Sequence, residues 1–344
     1  MPFRSLFRHG TAFSENTCGH KKPLWKINSI LLRRKLKQAR PPPTIIATDL
    51  YTDRKFSPLL YVIAAALLWS TGGLFIKWTK LSGLELSFFR SFFAIFVVAF
   101  FTRKERFGLN VVSGAAAVLY AVLLILFVLA TKKTTAANAI FLQYTAPVYI
   151  LILEPLFYKE KFRLRDLITV VICVGGMTLF FVGKLRPEDV TGNLLALASG
   201  LCFAVYFLLL RHSKARLVNR ASSVIYGNLL AVLLTAPWGL AALESLDRFD
   251  AFSVIYLGVI QLGLSYLLFT KAMALGVRSI DAGIMGFIEP VLNPVWVFLV
   301  LGERPSQWAL LGGAIIIVTV ITHMLLDAQR KRLKNNPQIT PIHS

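Results

Sequence analysis

Residues 139–160 read AIFLQYTAPVYILILEPLFYKE, and residues 282–303 read AGIMGFIEPVLNPVWVFLVLGE. A shift of 143 residues lays one stretch on the other without a gap. Five positions are then identical: Ala139 with Ala282, Pro147 with Pro290, Val148 with Val291, Leu156 with Leu299, and Glu160 with Glu303. Tyr144 aligns with Phe287 and Lys161 with Arg304, each pair similar in character. Both copies are apolar and about 20 residues long, enough to cross a bilayer as a helix. Self-similarity at a fixed spacing marks a duplicated architecture.

Working outward, apolar stretches of similar length recur at 59–78, 84–102, 110–130, 136–157, 165–183, 191–210, 222–242, 251–270, 280–300 and 307–326. The duplication places five in each half. An odd number sends the second half into the membrane in the opposite orientation. The expected fold is therefore an all-α polytopic membrane protein, with ten transmembrane helices in two inverted five-helix repeats. The first repeat covers 58–183 and the second 191–326, between a basic tail at 1–57 and another at 327–344. Inverted repeats are an architecture of secondary transporters, whose substrate site lies near the midplane between the halves.

Composition agrees with that reading. The 344 residues are 56% hydrophobic and 16% charged, against about 45–50% and about 25% in soluble domains. Mean hydropathy is +0.64. The net charge of +21 does not indicate a nucleic-acid binder, whose basic residues would cover a polar folded surface. It records orientation instead. With the N-terminus inside, the inner loops and tails hold 29 Lys or Arg and the outer loops hold 8. Lys and Arg mark the cytoplasmic side, so both termini are expected in the cytoplasm, most simply at the plasma membrane. The first 57 residues carry twelve Lys or Arg and three acids. A disordered cytoplasmic tail, an organelle transit peptide and a start assigned too far upstream all fit them. Cys18, Cys173 and Cys202 form no disulfide framework and no zinc spacing.

Enzyme signatures are missing: the chain has no G-x-S-x-G elbow, H-E-x-x-H pair or P-loop. Five scattered histidines suggest no metal cluster, and no cofactor is expected. His323 and Asp327, four residues apart at the end of the last span, read as a solvated terminus.

A charge at bilayer depth costs at least ~2.5–3.5 kcal/mol and usually faces the bundle interior. Arg90, Glu154 and Glu289 stand out on that ground. Arg90 lies near the outer boundary, where it either snorkels or serves the site. Glu154 lies one turn before Lys159-Glu160-Lys161 and reads equally as a paired cytoplasmic-edge carboxylate or as a site residue. Glu289 sits mid-span beside Pro290 and leads as the candidate for proton coupling, with Glu154 second. Pro147 and Pro155 in the fourth span, and Pro290 and Pro294 in the ninth, free carbonyls and kink helices. Pro-interrupted spans at corresponding places in two halves point to a transport site and its gating. Gln143, Tyr144, Asn293 and Trp296 lie within a turn or two of those kinks, and Trp69 and Tyr266 are deep enough to line a cavity. Glycine and alanine pairs such as Gly175-Gly176 and Gly312-Gly313 suit close helix contact in lipid. Trp78, Trp238 and Trp308 suit the interfacial belt.

These features together resemble the EamA-type branch of the drug/metabolite transporter superfamily. The match is carried by Leu68-Trp69-Ser70-Thr71-Gly72-Gly73, by Phe89-Arg90-Ser91, and by the closing segments of the halves. Ile288-Glu289-Pro290-Val291 through Leu301-Gly302-Glu303-Arg304 is similar to the family's "EPV … LGER" signature. The first-half copy departs from it, with Ala146 for the acid and Tyr158-Lys159 for Leu-Gly. The resemblance implies a central cavity lined by both repeats and alternating access, with export of an amino acid or related metabolite. The partners it implies are a small-molecule substrate and the lipid bilayer, with a homodimer as an open alternative. A sugar-phosphate or nucleotide-sugar antiporter of an organelle is the nearest rival, and would need paired basic residues deep in the cavity. A scaffold without flux is the rival of another class, and would need a soluble domain for its partner.

Overall fold

A computed structural model describes residues 57–105, 107–159, 161, 163–179, 182, 190–219, 221–302 and 306–335. Expectations for the N-terminal tail through residue 56, for Glu160, Glu303, Arg304 and the Pro294 side chain, and for residues 336–344 lie outside the described residues. The described residues are helical with short connections, and contain no strand.

Ten helices follow in order: α1 (Pro58–Trp78), α2 (Gly83–Thr102), α3 (Val111–Lys133), α4 (Ala136–Tyr158), α5 (Leu164–Thr178), α6 (Val190–Arg211), α7 (Ala221–Ala241), α8 (Arg248–Ala274), α9 (Ser279–Val300) and α10 (Gln307–Asn335). Among the described residues nine are long and apolar enough to span a bilayer. The tenth, α5, has 15 residues and is followed by Leu179 and then by two residues that are not described. Polar caps begin several of them. Ser82 and Glu85 close a capping box on α2, and Asn110 and Ser113 close one on α3. Asp247 accepts from the Asp250 amide at the start of α8. Each cap satisfies amides that the first turn leaves without helical partners.

Helix faces sort by burial. On α2, Leu86, Phe89, Arg90, Ala94 and Val98 are buried, while Phe92, Phe96 and Phe100 are exposed at four-residue spacing on the lipid side. Trp78, Trp238 and Trp308 are also exposed, as an interfacial belt requires.

Packing repeats between the halves. Exchanging each helix for its counterpart five positions on maps α3–α6 onto α1–α8, α4–α6 onto α1–α9, and α3–α7 onto α2–α8. The pairs α2–α7, α4–α9 and α5–α10 map onto themselves. This is the contact pattern of a two-fold related pair. Small residues make the self-paired contacts close. A Cβ on Gly176 of α5 would stand 3.1 Å from the Gly312 carbonyl oxygen of α10.

Three helices are broken within the membrane. The α1 helix stops at Trp69 and restarts at Gly72. The α4 helix stops at Gln143 and restarts at Ala146. In α9 the first segment ends at Gly286, and the second runs Ile288–Leu301. The breaks at Tyr144 and Phe287 are the same position in the two repeats. Pro147 stands at the start of the restarted α4 segment, where its missing N–H has no helical partner to lose. Pro290 sits likewise in the first turn after Phe287. These prolines therefore begin segments, whereas Pro155 lies inside one. A fourth irregularity, a π-helical stretch at Leu257–Leu264, widens α8 at its middle.

Candidate functional site

The two matched breaks meet. Tyr144 and Phe287 pack with ring centroids 5.8 Å apart, and both are buried. The Tyr144 hydroxyl donates to Glu289 Oε2 at 2.7 Å, between residues 145 apart in sequence. Counting along the helices at ~1.5 Å per residue, Tyr144 lies ~12 Å from the start of α4 and Glu289 ~15 Å from the start of α9. Those helices begin on opposite sides, so the pair sits near the middle of a ~30 Å hydrocarbon core. Glu289 also occupies the first turn of its segment, where the helix dipole favours an anion. Gly286 makes the approach feasible, since a Cβ there would stand 2.8 Å from Tyr144 Cε1. The repeats are asymmetric at this point. The positions matching Tyr144 and Glu289 are Phe287 and Ala146, so the pair exists once.

Arg90 does not snorkel. It is 2% exposed, and its Nη2 donates to Gln261 Oε1 at 3.2 Å. Gln261 comes from the π-helical stretch of α8. There Gly258 lets the two backbones close, with a Cβ at 258 standing 2.7 Å from the Arg90 carbonyl. A local widening of this kind recurs at functional sites. Arg90 also interacts electrostatically with Glu289, Tyr120 and Tyr266. Tyr266 packs tilted against Trp69 at 4.9 Å and edge-on against Tyr120 at 4.7 Å. Trp69 ends the first segment of α1. Ser70, in its break, accepts from Trp296 Nε1 at 2.7 Å, and Thr71 accepts from the Tyr256 hydroxyl at 3.1 Å. Gly72 and Gly73 follow, with Gln261 and Asn293 against them. The breaks of α1, α4 and α9 and the widened turn of α8 thus supply one buried polar and aromatic region.

Of the residues singled out in the sequence, Trp69, Arg90, Tyr144, Tyr266, Glu289, Asn293 and Trp296 belong to this region. Gln143 is buried and donates to Ser199 Oγ at 2.8 Å, and that hydroxyl donates on to the Leu123 carbonyl. It ties α4 to α6 and α3. Gln261, Tyr120 and Asn228, which donates to the Tyr120 hydroxyl at 3.3 Å, were not expected. The available signal was a polar residue between Gly258 and Gly263 in an otherwise apolar span.

Glu154 belongs to a second cluster. It accepts from Arg211 Nη1 at 2.8 Å and lies 3.6 Å from Arg278 Nη2. Two arginines therefore pair with it. Arg278 also pairs with Asp166 at 2.8 Å and Asp281 at 3.4 Å. Burial works to lower the Arg278 pKa, but the surrounding carboxylates outweigh it and raise it. His323 Nε2 lies 3.3 Å from Asp281, and Arg165 Nη2 lies 3.3 Å from Asp327. His323 and Asp327 are buried, which overturns the expectation of a solvated terminus. Asp166 and Asp281 are likewise buried acids within the expected spans, so the count of three intramembrane charges was too low. Ligand atoms of Asp166, Asp281 and His323 lie within 4.8 Å of one another, but the Arg278 guanidinium already supplies a cation between the two aspartates. The network joins α4, α5, α6, α9 and α10 toward one end of the bundle.

A model of the EamA-like transporter family matches residues 56–182 and 190–325. The chain is 28% identical to the uncharacterized transporter YwfM of Bacillus subtilis, across 79% of this chain and 95% of that one. It is 30% identical to the threonine/homoserine exporter RhtA of Escherichia coli, across 60% of this chain and 68% of that one. A solved crystal structure superposes with a TM-score of 0.66 at 19% identity, covering 78% of this chain and 97% of the other. That last likeness bears on the fold alone.

Proposed function

We infer a function from one premise, that this chain belongs to the EamA-like transporter family: it is a multi-pass membrane transporter that exports a small organic solute by alternating access. The solute class that fits is an amino acid or a related metabolite, as for the relative named a threonine/homoserine exporter. The observation that carries the reading is the Tyr144–Glu289 hydrogen bond, made between broken helices of opposite halves. Breaking it lets the halves separate; remaking it brings them back.

Glu289 is the proton-coupling group in this reading. Protonated from the outside, it releases Tyr144; deprotonated toward the inside, it accepts the bond again. The inner network around Arg278 is the closed cytoplasmic gate, and the α4 and α9 segments on either side of their breaks rock to open it. Both termini are cytoplasmic, by the distribution of Lys and Arg, and the plasma membrane is the expected site. The organellar phosphate-ester alternative is disfavoured by Lys132, whose Nζ donates to the Thr79 carbonyl at 2.8 Å at the outer end of α3 rather than lining the central region.

A metabolite-wide comparison of efflux from cells with and without the protein tests the reading. An amino acid or related metabolite should leave faster when the chain is present. Identical profiles would contradict transport.

A further inference from the structure

The central region buries more hydrogen-bond donors than it satisfies. Among the described residues, Arg90 Nε and Nη1, Trp69 Nε1 and Asn293 Nδ2 have no hydrogen-bond partner, although Arg90 is 2% exposed and Trp69 4%. Leaving a buried charged donor unpaired is among the costliest arrangements a fold can hold. All of these orphans are donors, and Trp69 packs against Tyr266 while Asn293 stands against Gly73. A ligand that completes them must bring acceptors, and the guanidinium fork calls for two parallel oxygens on one planar group.

Charge narrows the class. Among the described residues no lysine and no other arginine is buried as deeply as Arg90, and Glu289 already lies within its field. One carboxylate matches Arg90, and the ammonium of an amino acid matches Glu289. A phosphate dianion would arrive with a charge unmatched. The Arg90–Gln261 hydrogen bond uses one N–H of Nη2, so the other Nη2 N–H stays parallel to that of an unpartnered neighbour, Nε or Nη1, as an open two-donor edge.

The geometry points to a carboxylate-binding subsite on the open guanidinium edge of Arg90, with the Trp69 indole N–H as a further donor, that selects the solute of this transporter. The subsite rests on the proposed transport function for its role, but not for its binding. Arg90 is a specificity-determining residue here, and Gln261 positions it.

The test uses the purified full-length chain in detergent, titrated with the twenty common L-amino acids, each beside its carboxamide, and with inorganic phosphate. Saturable shifts in unfolding temperature report binding. At least one amino acid should bind while its amide binds at least about tenfold more weakly, the loss of a charged hydrogen bond. R90Q should weaken that amino acid by at least tenfold, R90K by less, because it keeps the charge and loses the fork, and W69F by several-fold. Equal binding of acid and amide, preferential binding of phosphate, binding unchanged in R90K and W69F, or no carboxylate binding at all would each overturn the subsite. If R90Q does not fold, R90K and W69F still decide it. Flux in proteoliposomes separates the two claims. Binding without flux contradicts transport alone, and flux unaffected by R90K and W69F contradicts the subsite alone.

Discussion

Tyr144 and Glu289 join the two halves of the molecule through a 2.7 Å hydrogen bond at a position where the repeats themselves are unlike. The tyrosine's counterpart is Phe287 and the acid's counterpart is Ala146, so the duplicated frame carries a single, directional contact. Removing only the hydroxyl isolates it. Tyr144→Phe keeps the ring packing on Phe287 and should slow proton-driven transport roughly tenfold or more, as expected for one hydrogen bond to a charged acceptor. Flux in proteoliposomes measures this; wild-type flux would show that the bond has no part in the cycle.

Gly286 should be equally sensitive, through sterics alone. A Cβ at that position stands 2.8 Å from the Tyr144 ring, inside ordinary contact distance. Gly286→Ala should displace Tyr144, destabilise the protein by about 1–3 kcal/mol, and reduce transport as Tyr144→Phe does. Thermal unfolding in detergent and flux are read on the same preparation. A variant with native stability and native flux would contradict the packing described.

The inner network gives a prediction about access. Arg278 pairs with Asp166, Asp281 and Glu154 from one side chain. Breaking a largely buried ion network by removing one partner costs about 3–5 kcal/mol. In Arg278→Gln that loss should open the inner end. Leu151→Cys, buried beside this network, should then react faster with an impermeant maleimide applied from the cytoplasmic side. Unchanged labelling would mean that Arg278 does not hold the gate.

At the opposite end of the bundle, Lys80 Nζ donates to Asp247 at 2.8 Å. The hydrogen bond from Lys80 holds the Asp247 carboxyl below the usual aspartate range, and Asp247 raises Lys80 in turn. A depressed carboxyl contributes stability that is present above its unfolded value of about 3.9 and is lost as pH falls through the lowered value. The pair is therefore constant between pH 5 and 8. Asp247→Asn should scale transport by the same factor throughout that range. A variant whose pH profile shifts would assign the outer pair a titrating role.

Much of the frame was legible because repetition and hydropathy are properties of the linear chain. The 143-residue shift aligned Tyr144 with Phe287, the positions at which α4 and α9 break, although the kinks were expected three residues later, at Pro147 and Pro290. Glu289 was readable because an acid beside a proline in an apolar run is rare. Gln261 was not, because its importance depends on a π-helical turn and on Gly258, neither of which leaves a periodic signal. The inner network escaped for a related reason. Asp166, the Arg278–Asp281 turn and His323 come from three separate helices, α5, α9 and α10, close to the ends of the expected spans, where solvent is the ordinary explanation of a charge. Only the packing of α5 against α10, and of α9 against α4, buries them together.

The most direct measurement is gradient-driven flux of an exported amino acid or metabolite in proteoliposomes bearing Glu289→Gln. The substitution keeps the size, stands in for the protonated acid that releases Tyr144, and removes only the titration. Proton-driven flux should vanish while the variant still inserts and folds, and solute exchange in the absence of a gradient should persist. Proton-driven flux at the wild-type rate would contradict the assignment of Glu289 as the coupling group.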